Sequence, residues 1–184
     1  MPFDKGVPTP KAYIRYKGVW NMQELYEAMN NWFRDRKYKV YEKSFKHKAP
    51  SPFGIERQYE WEAFQPFEDY MRSFVRVYMH TYDAQDIEVD VGGKKKVFTK
   101  GRIWIEIKLE VEFDYEKRWN ESSFYRHMKD FYNKYVIRNR WMQGFSPKYR
   151  TELYKLHHVL QSALDMQTAE FEHFQVPGGH YMTA

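Results

Sequence analysis

One stretch, Gly101–Tyr115, restricts the folds open to this chain more than any other. Ile103, Ile105, Ile107, Leu109, Val111, Phe113 and Tyr115 take every second position, and Trp104, Glu106, Lys108, Glu110, Glu112 and Asp114 take those between. A period of two means an extended strand with one face buried and the other wet. Slipping the register by a single residue would drive the glutamates into the core, so the pairing of this strand is tightly specified. Such alternation is the mark of an antiparallel sheet with one face packed and one solvated.

Neighbouring segments supply partners for it. Lys11–Val19 reads as a first short strand, with Tyr13, Ile14, Tyr16 and Val19 as its apolar content. Lys39–Lys48 alternates with Tyr41 and Phe45 on one side, and Pro50–Gly54 is a loop. Ile55–Phe64 sets Ile55, Tyr59 and Trp61 against Glu56, Glu60 and Glu62, and Pro66 ends it. Along Tyr70–Tyr82 the core side is Met71, Ser73, Val75, Val77 and Met79, with Arg72 and Arg76 opposite. Ile87–Val91 leads into Gly92-Gly93, a hairpin signal, and a bulge is expected at Lys100-Gly101 before the long strand resumes.

Three segments change period to about 3.6 residues. Asn21-Met-Gln-Glu24 has the form of a capping box, and the helix after it, to about Arg36, carries Met22, Leu25, Tyr26, Met29, Trp32 and Phe33 on one stripe. A second helix, capped by Asn120 or Ser122, shows Phe124, Met128, Phe131, Tyr135 and Met142 and stops at Gly144. A third starts at Ser146-Pro147 and runs to about Phe174.

The expected class is α+β: a curved antiparallel sheet of about six or seven strands gripping a long helix, helix-grip-like by element order, with a second C-terminal helix added. Residues 1–10 form an irregular arm, 11–145 the sheet domain with its packing helices, 146–175 a C-terminal helix within that domain or at an oligomer interface, and 176–184 a flexible tail. A length of 184 residues suits one core of ordinary size, and an aromatic content of 20% suits a β-rich one.

Cysteine is absent, which excludes disulfides, thiolate zinc sites and cysteine nucleophiles. The polar start Met1–Gly6 differs from a secretion signal, and no apolar run approaches the ~20 residues of a membrane span, so the expected address is the cytoplasm. The seven histidines form no HExxH pair, and phosphate-loop and nucleophile-elbow motifs are missing, so no catalytic residue, metal or cofactor is assigned.

Three sets of residues are candidates for binding. Lys43 and Arg57 share faces with Tyr41, Tyr59 and Trp61 and are expected side by side, where a buried cation pair would suit a small apolar or anionic ligand in a cavity between sheet and helix. The alternative is nucleic acid, or a ribosome, held by two basic segments: Arg34, Arg36, Lys37, Lys39, Lys46 and Lys48, interleaved with Tyr38, Tyr41 and Phe45, and the tip Lys94, Lys95 and Lys96. Leu153, Leu156, Leu160 and Leu164 recur near heptad spacing and are expected to join a homodimer. The expected role is a non-enzymatic binding or interaction module.

Overall fold

The structure is a computed structural model, and it describes residues 11–51, 54–120, 122–137 and 146–166. The expected N-terminal arm, the continuation of the second and third helices and the C-terminal tail lie outside these residues. Five antiparallel strands form one open sheet in the order β1-β5-β4-β3-β2. They are β1 (Ala12–Trp20), β2 (Lys39–Ser51), β3 (Gly54–Glu68), β4 (Met71–Val91) and β5 (Lys94–Phe113). Three helices are α1 (Met22–Asp35), α2 (Ser123–Tyr132) and α3 (Ser146–Ala163). A 3-10 turn at Arg118–Asn120 precedes α2 and a π turn at Asn133–Ile137 extends it. Class and antiparallel pairing are as expected; among the described residues the strands number five, against the six or seven expected. Two expected breaks do not divide strands, because β4 runs through residues 83–86 and β5 runs through Gly101.

The long alternating strand lies between β1 and β4, with Ile107 opposite Ala12 on one side and Val77 on the other. Ile105, Ile107, Leu109, Val75, Val77 and Met79 are 0–1% exposed. They meet Leu25, Met29 and Phe33 of α1 and Leu153, Leu156 and Leu160 of α3, so both helices cover the same face. The layer between sheet and helices is thereby occupied by packed side chains, in the one place where an apolar ligand was expected.

Local chemistry explains the element ends. Asn21 caps α1 by accepting hydrogen bonds from the backbone N–H groups of Gln23 (3.0 Å) and Glu24 (3.3 Å). The reciprocal half of the capping box is absent: the Glu24 carboxylate accepts instead from Lys96 Nζ on β5, 3.1 Å away. Gly92 and Gly93 have φ of 64° and 79°, the two positive values of a tight hairpin turn, and Asp90 Oδ1 accepts from the Gly93 N–H.

Two bulges decide which way side chains point. One falls between Glu42 and Ser44, making Lys43 the extra residue of β2. Tyr41 therefore faces away from the helices, stacked on Phe64, whereas Phe45 lies on the helix side against Tyr59. The other falls between Tyr82 and Gln85 in β4, opposite Gly101. A Cβ on Gly101 would come within 2.8 Å of the Tyr82 carbonyl oxygen and 3.1 Å of Ala84 Cα. The glycine expected to carry a bulge thus accommodates one on the partner strand.

Candidate functional site

Because α1 and α3 both pack on one side, the other face of the sheet carries no helix among the described residues. Side chains pointing there come from alternate positions of every strand: Tyr13, Arg15 and Lys17 from β1, Arg102 and Trp104 from β5, Tyr78, His80 and Tyr82 from β4. Antiparallel register sets Arg15 opposite Trp104 and Lys17 opposite Arg102, and across β5 sets Trp104 opposite His80 and Arg102 opposite Tyr82. The rings form a continuous aromatic surface. Tyr13 stacks on Trp104 (6.1 Å between centroids, 12° between planes), Trp104 meets Tyr78 edge-on at 5.7 Å, and His80 lies 3.9 Å from Tyr82.

Arg15, Lys17, Tyr82, Arg102 and Trp104 line a shallow open depression of about 500 Å³ on this surface. Arg102 is held by Asp83, with 2.9 Å between Nε and Oδ2, and lies over the Tyr82 ring at 5.7 Å. Arg15 and Lys17 are exposed and make no ion pair among the described residues. Two uncommitted cations beside stacked rings can pair with an anion while the rings accept a flat base or another aromatic group. Burial pushes the His80 imidazole below its ordinary range, outweighing the opposite pull of Glu56, whose Oε2 is 3.9 Å from Nε2. The ring is accordingly neutral at physiological pH and acts here as part of the aromatic surface.

Further along the same face, Tyr41, Phe64 and Phe74 stack in a row, and Arg72 and Arg76 lie over Phe64 and Phe74. Ion pairs flank Phe74 on both sides, that of Arg76 lying between it and Tyr78. Arg72 bonds Glu112 at 2.6 Å, and Arg76 bonds Glu62 at 3.0 Å. Arg76 turns toward β3 because its neighbour on β5 is Lys108, a like charge that itself pairs with Glu110. Burial alone would raise Glu62, but hydrogen bonds from Lys43 and Arg76 outweigh it and hold the carboxyl below the usual range. These carboxylates are ion-pair partners.

The expected ligand set does not converge. Lys43 faces outward and bonds Glu62 at 2.8 Å, together with Tyr41. Arg57, Tyr59 and Trp61 lie on the helix side, where Arg57 Nη1 bonds Asp86 Oδ1 at 3.0 Å. The register of the β2–β3 hairpin is the cause, since it sets His47, four residues beyond Lys43, opposite Arg57, and the bulge turns Lys43 to the outer face. The basic segments also disperse. Arg36 is committed to the fold, bonding Glu152 of α3 at 2.7 Å and stacking over Trp32 at 4.2 Å. Arg34 and Lys37 are exposed at the end of α1, and Lys39, Lys46 and Lys48 follow along edge strand β2, where Lys48 lies 3.6 Å from Glu56. Lys94 opens β5, Lys95 lies 3.8 Å from Glu88, and Lys96 is tied to Glu24 near the opposite end of α1, roughly 15 Å from Arg34 at 1.5 Å per residue. Leu153, Leu156, Leu160 and Leu164 are 0–1% exposed and belong to the core of this chain, because α1, β1 and β5 already cover them.

What the sequence reading missed is the outward set of β1. Lys11, Tyr13, Arg15 and Lys17 alternate with Ala12, Ile14 and Tyr16, a period-two signal as regular as that of β5 but shorter. Among the described residues there is no cluster of three metal-ligating side chains and no helix long and apolar enough to cross a membrane. No family model matches this chain, and no curated protein matches it.

Proposed function

We propose that this protein is a non-enzymatic binding module that holds single-stranded nucleic acid on the uncovered face of its sheet. The observation that carries this reading is the stacked pair Tyr13–Trp104 with the uncommitted cations Arg15 and Lys17 beside it. Bases would stack on Trp104 and Tyr82 while Arg15, Lys17 and Arg102 take the phosphates, a sequence-tolerant mode that needs no hydrogen-bond reading of base edges. The row Tyr41–Phe64–Phe74 offers a second stacking platform; on β4, Phe74 and Tyr78 are separated by roughly 14 Å at 3.4 Å per residue. A net charge of +5 favours the encounter. In architecture, the element order and the shared helix-covered face support a helix-grip-like reading in which β1–β5 close over α1 and α3.

The test is fluorescence anisotropy with labelled oligouridylate across a range of salt. Trp104→Ala should weaken binding roughly 10- to 100-fold, the usual effect of losing one base–aromatic stack. Arg15→Glu with Lys17→Glu should weaken it and flatten the salt dependence by about one unit of slope per lost phosphate contact. Native protein that ignores the oligonucleotide at low salt overturns the reading, as does unchanged binding in both variants.

A further inference from the structure

Helix α2 is packed inside out. The one buried side chain of α2 is polar: Lys129 is 4% exposed with Nζ 2.9 Å from Asp114 Oδ2, and in the π turn that follows Asn133, 3% exposed, accepts a 2.6 Å hydrogen bond from the Tyr70 hydroxyl, while Ile137 joins the core at 2%. Tyr132 completes the attachment, stacked on Trp119 at 5.6 Å and edge-on to Tyr70 at 5.5 Å. At 3.6 residues per turn the opposite side of the helix presents Phe124, Met128 and Phe131, which are 69%, 43% and 59% exposed. Tyr125 and Val136, outside this stripe, are 50% and 43% exposed. A soluble amphipathic helix turns its apolar stripe to the core. Here polar bonds hold the helix to the domain, and the apolar stripe is left to meet something else.

Charge and area choose the occupant. Between Lys117 and Arg150 the sequence has nine Lys or Arg against two Asp or Glu, whereas the whole chain nets only +5. Within residues 122–137, Asp130 is the only acid, and Arg126 and Lys134 are exposed. A second copy would bring this positive region against itself. It would also find too little surface, since α2 and its π turn are about 22 Å long and present a face of about 220 Å², against the ~800 Å² each partner usually buries in a stable pair. An anionic bilayer suits both features: aromatic and Met side chains enter the zone between headgroups and acyl chains, and lysine and arginine meet the lipid charge.

We propose that α2 is a peripheral membrane-docking helix that lays Phe124, Met128 and Phe131 into the surface of an anionic phospholipid bilayer. The site is separate from the sheet face, so one can fail without the other.

Flotation of the full chain with vesicles of phosphatidylcholine and phosphatidylserine tests this, with pure phosphatidylcholine vesicles beside them. Native protein should float with the anionic vesicles and at least about tenfold less with the neutral ones. Phe124→Ser with Phe131→Ser should abolish flotation, and Arg126→Glu with Lys134→Glu should lower it by about tenfold or more. Because these positions are exposed, circular dichroism and oligouridylate binding should match those of the native protein. The proposal is overturned if native protein stays out of anionic vesicles at low salt, or if the double serine variant floats as the native protein does. It is overturned equally if sedimentation shows a dimer that the serine variant loses, or if cross-linking places residues 167–184 on the stripe.

Discussion

Lys129 Nζ lies 2.9 Å from Asp114 Oδ2, and both side chains are almost wholly removed from solvent. Asp114 sits just beyond β5 with φ of +48°, and its backbone N–H donates to the Tyr70 carbonyl, so the carboxylate is fixed before α2 begins. This pair ties a helix with few buried apolar residues to the end of the sheet. Breaking one half of a buried pair leaves the other charge uncompensated, so Lys129→Met should cost about 3–5 kcal/mol in urea denaturation. Lys129→Met with Asp114→Asn should cost less than the single change, because no bare charge remains. A larger loss in the double variant would show that the pair is not what holds α2.

Gly101→Ala should destabilise by about 1–3 kcal/mol, the range for forcing an extra carbon into a packed site. The added Cβ would meet backbone atoms of Tyr82 and Ala84, which a rotamer change cannot move away. A chemical denaturation midpoint equal to that of the native protein would mean that the bulge shifts freely.

The two faces of β5 should respond differently to truncation. Ile107 is fully buried, and Ile107→Ala should cost about 2–5 kcal/mol. Glu110 is half-buried beside Lys108, and Glu110→Ala should cost under about 1 kcal/mol. Equal losses in thermal unfolding would contradict the assignment of faces.

His80 links stability to pH. Burial lowers its proton affinity in the fold, and the nearby Lys48 adds to this while Glu56 opposes it. The unfolded chain, with histidine near its ordinary value of about 6.5, binds more protons in that range, so stability rises with pH there. The contribution is present above about pH 6.5 and is lost as pH falls below it. Thermal unfolding between about pH 5 and 8 should show that slope, and His80→Gln should reduce it. An identical slope in the variant would assign the effect to other groups.

The sequence by itself determined whatever depends on neighbours a few residues apart. The alternation of β5 determines its buried side, Asn21 determines where α1 begins, and Gly92-Gly93 determines the hairpin, because backbone geometry and local hydrogen bonds settle each of them. Tertiary structure alone decided the rest. A period reports that two faces differ, but not what lies against either. So α2 and α3 carry similar stripes in sequence, yet Leu156 of α3 is buried under α1 and β1 while Phe131 of α2 faces outward, its helix held by Asp114 just beyond β5 and Tyr70 in the turn before β4. One extra residue at Lys43 reverses every side chain after it, and only pairing with β3 shows where it falls. The aromatic and cationic surface of Tyr13, Arg15, Tyr82 and Trp104 likewise exists only once β1 pairs beside β5, since β1 is far in the chain from the β4–β5 hairpin that contributes the rest.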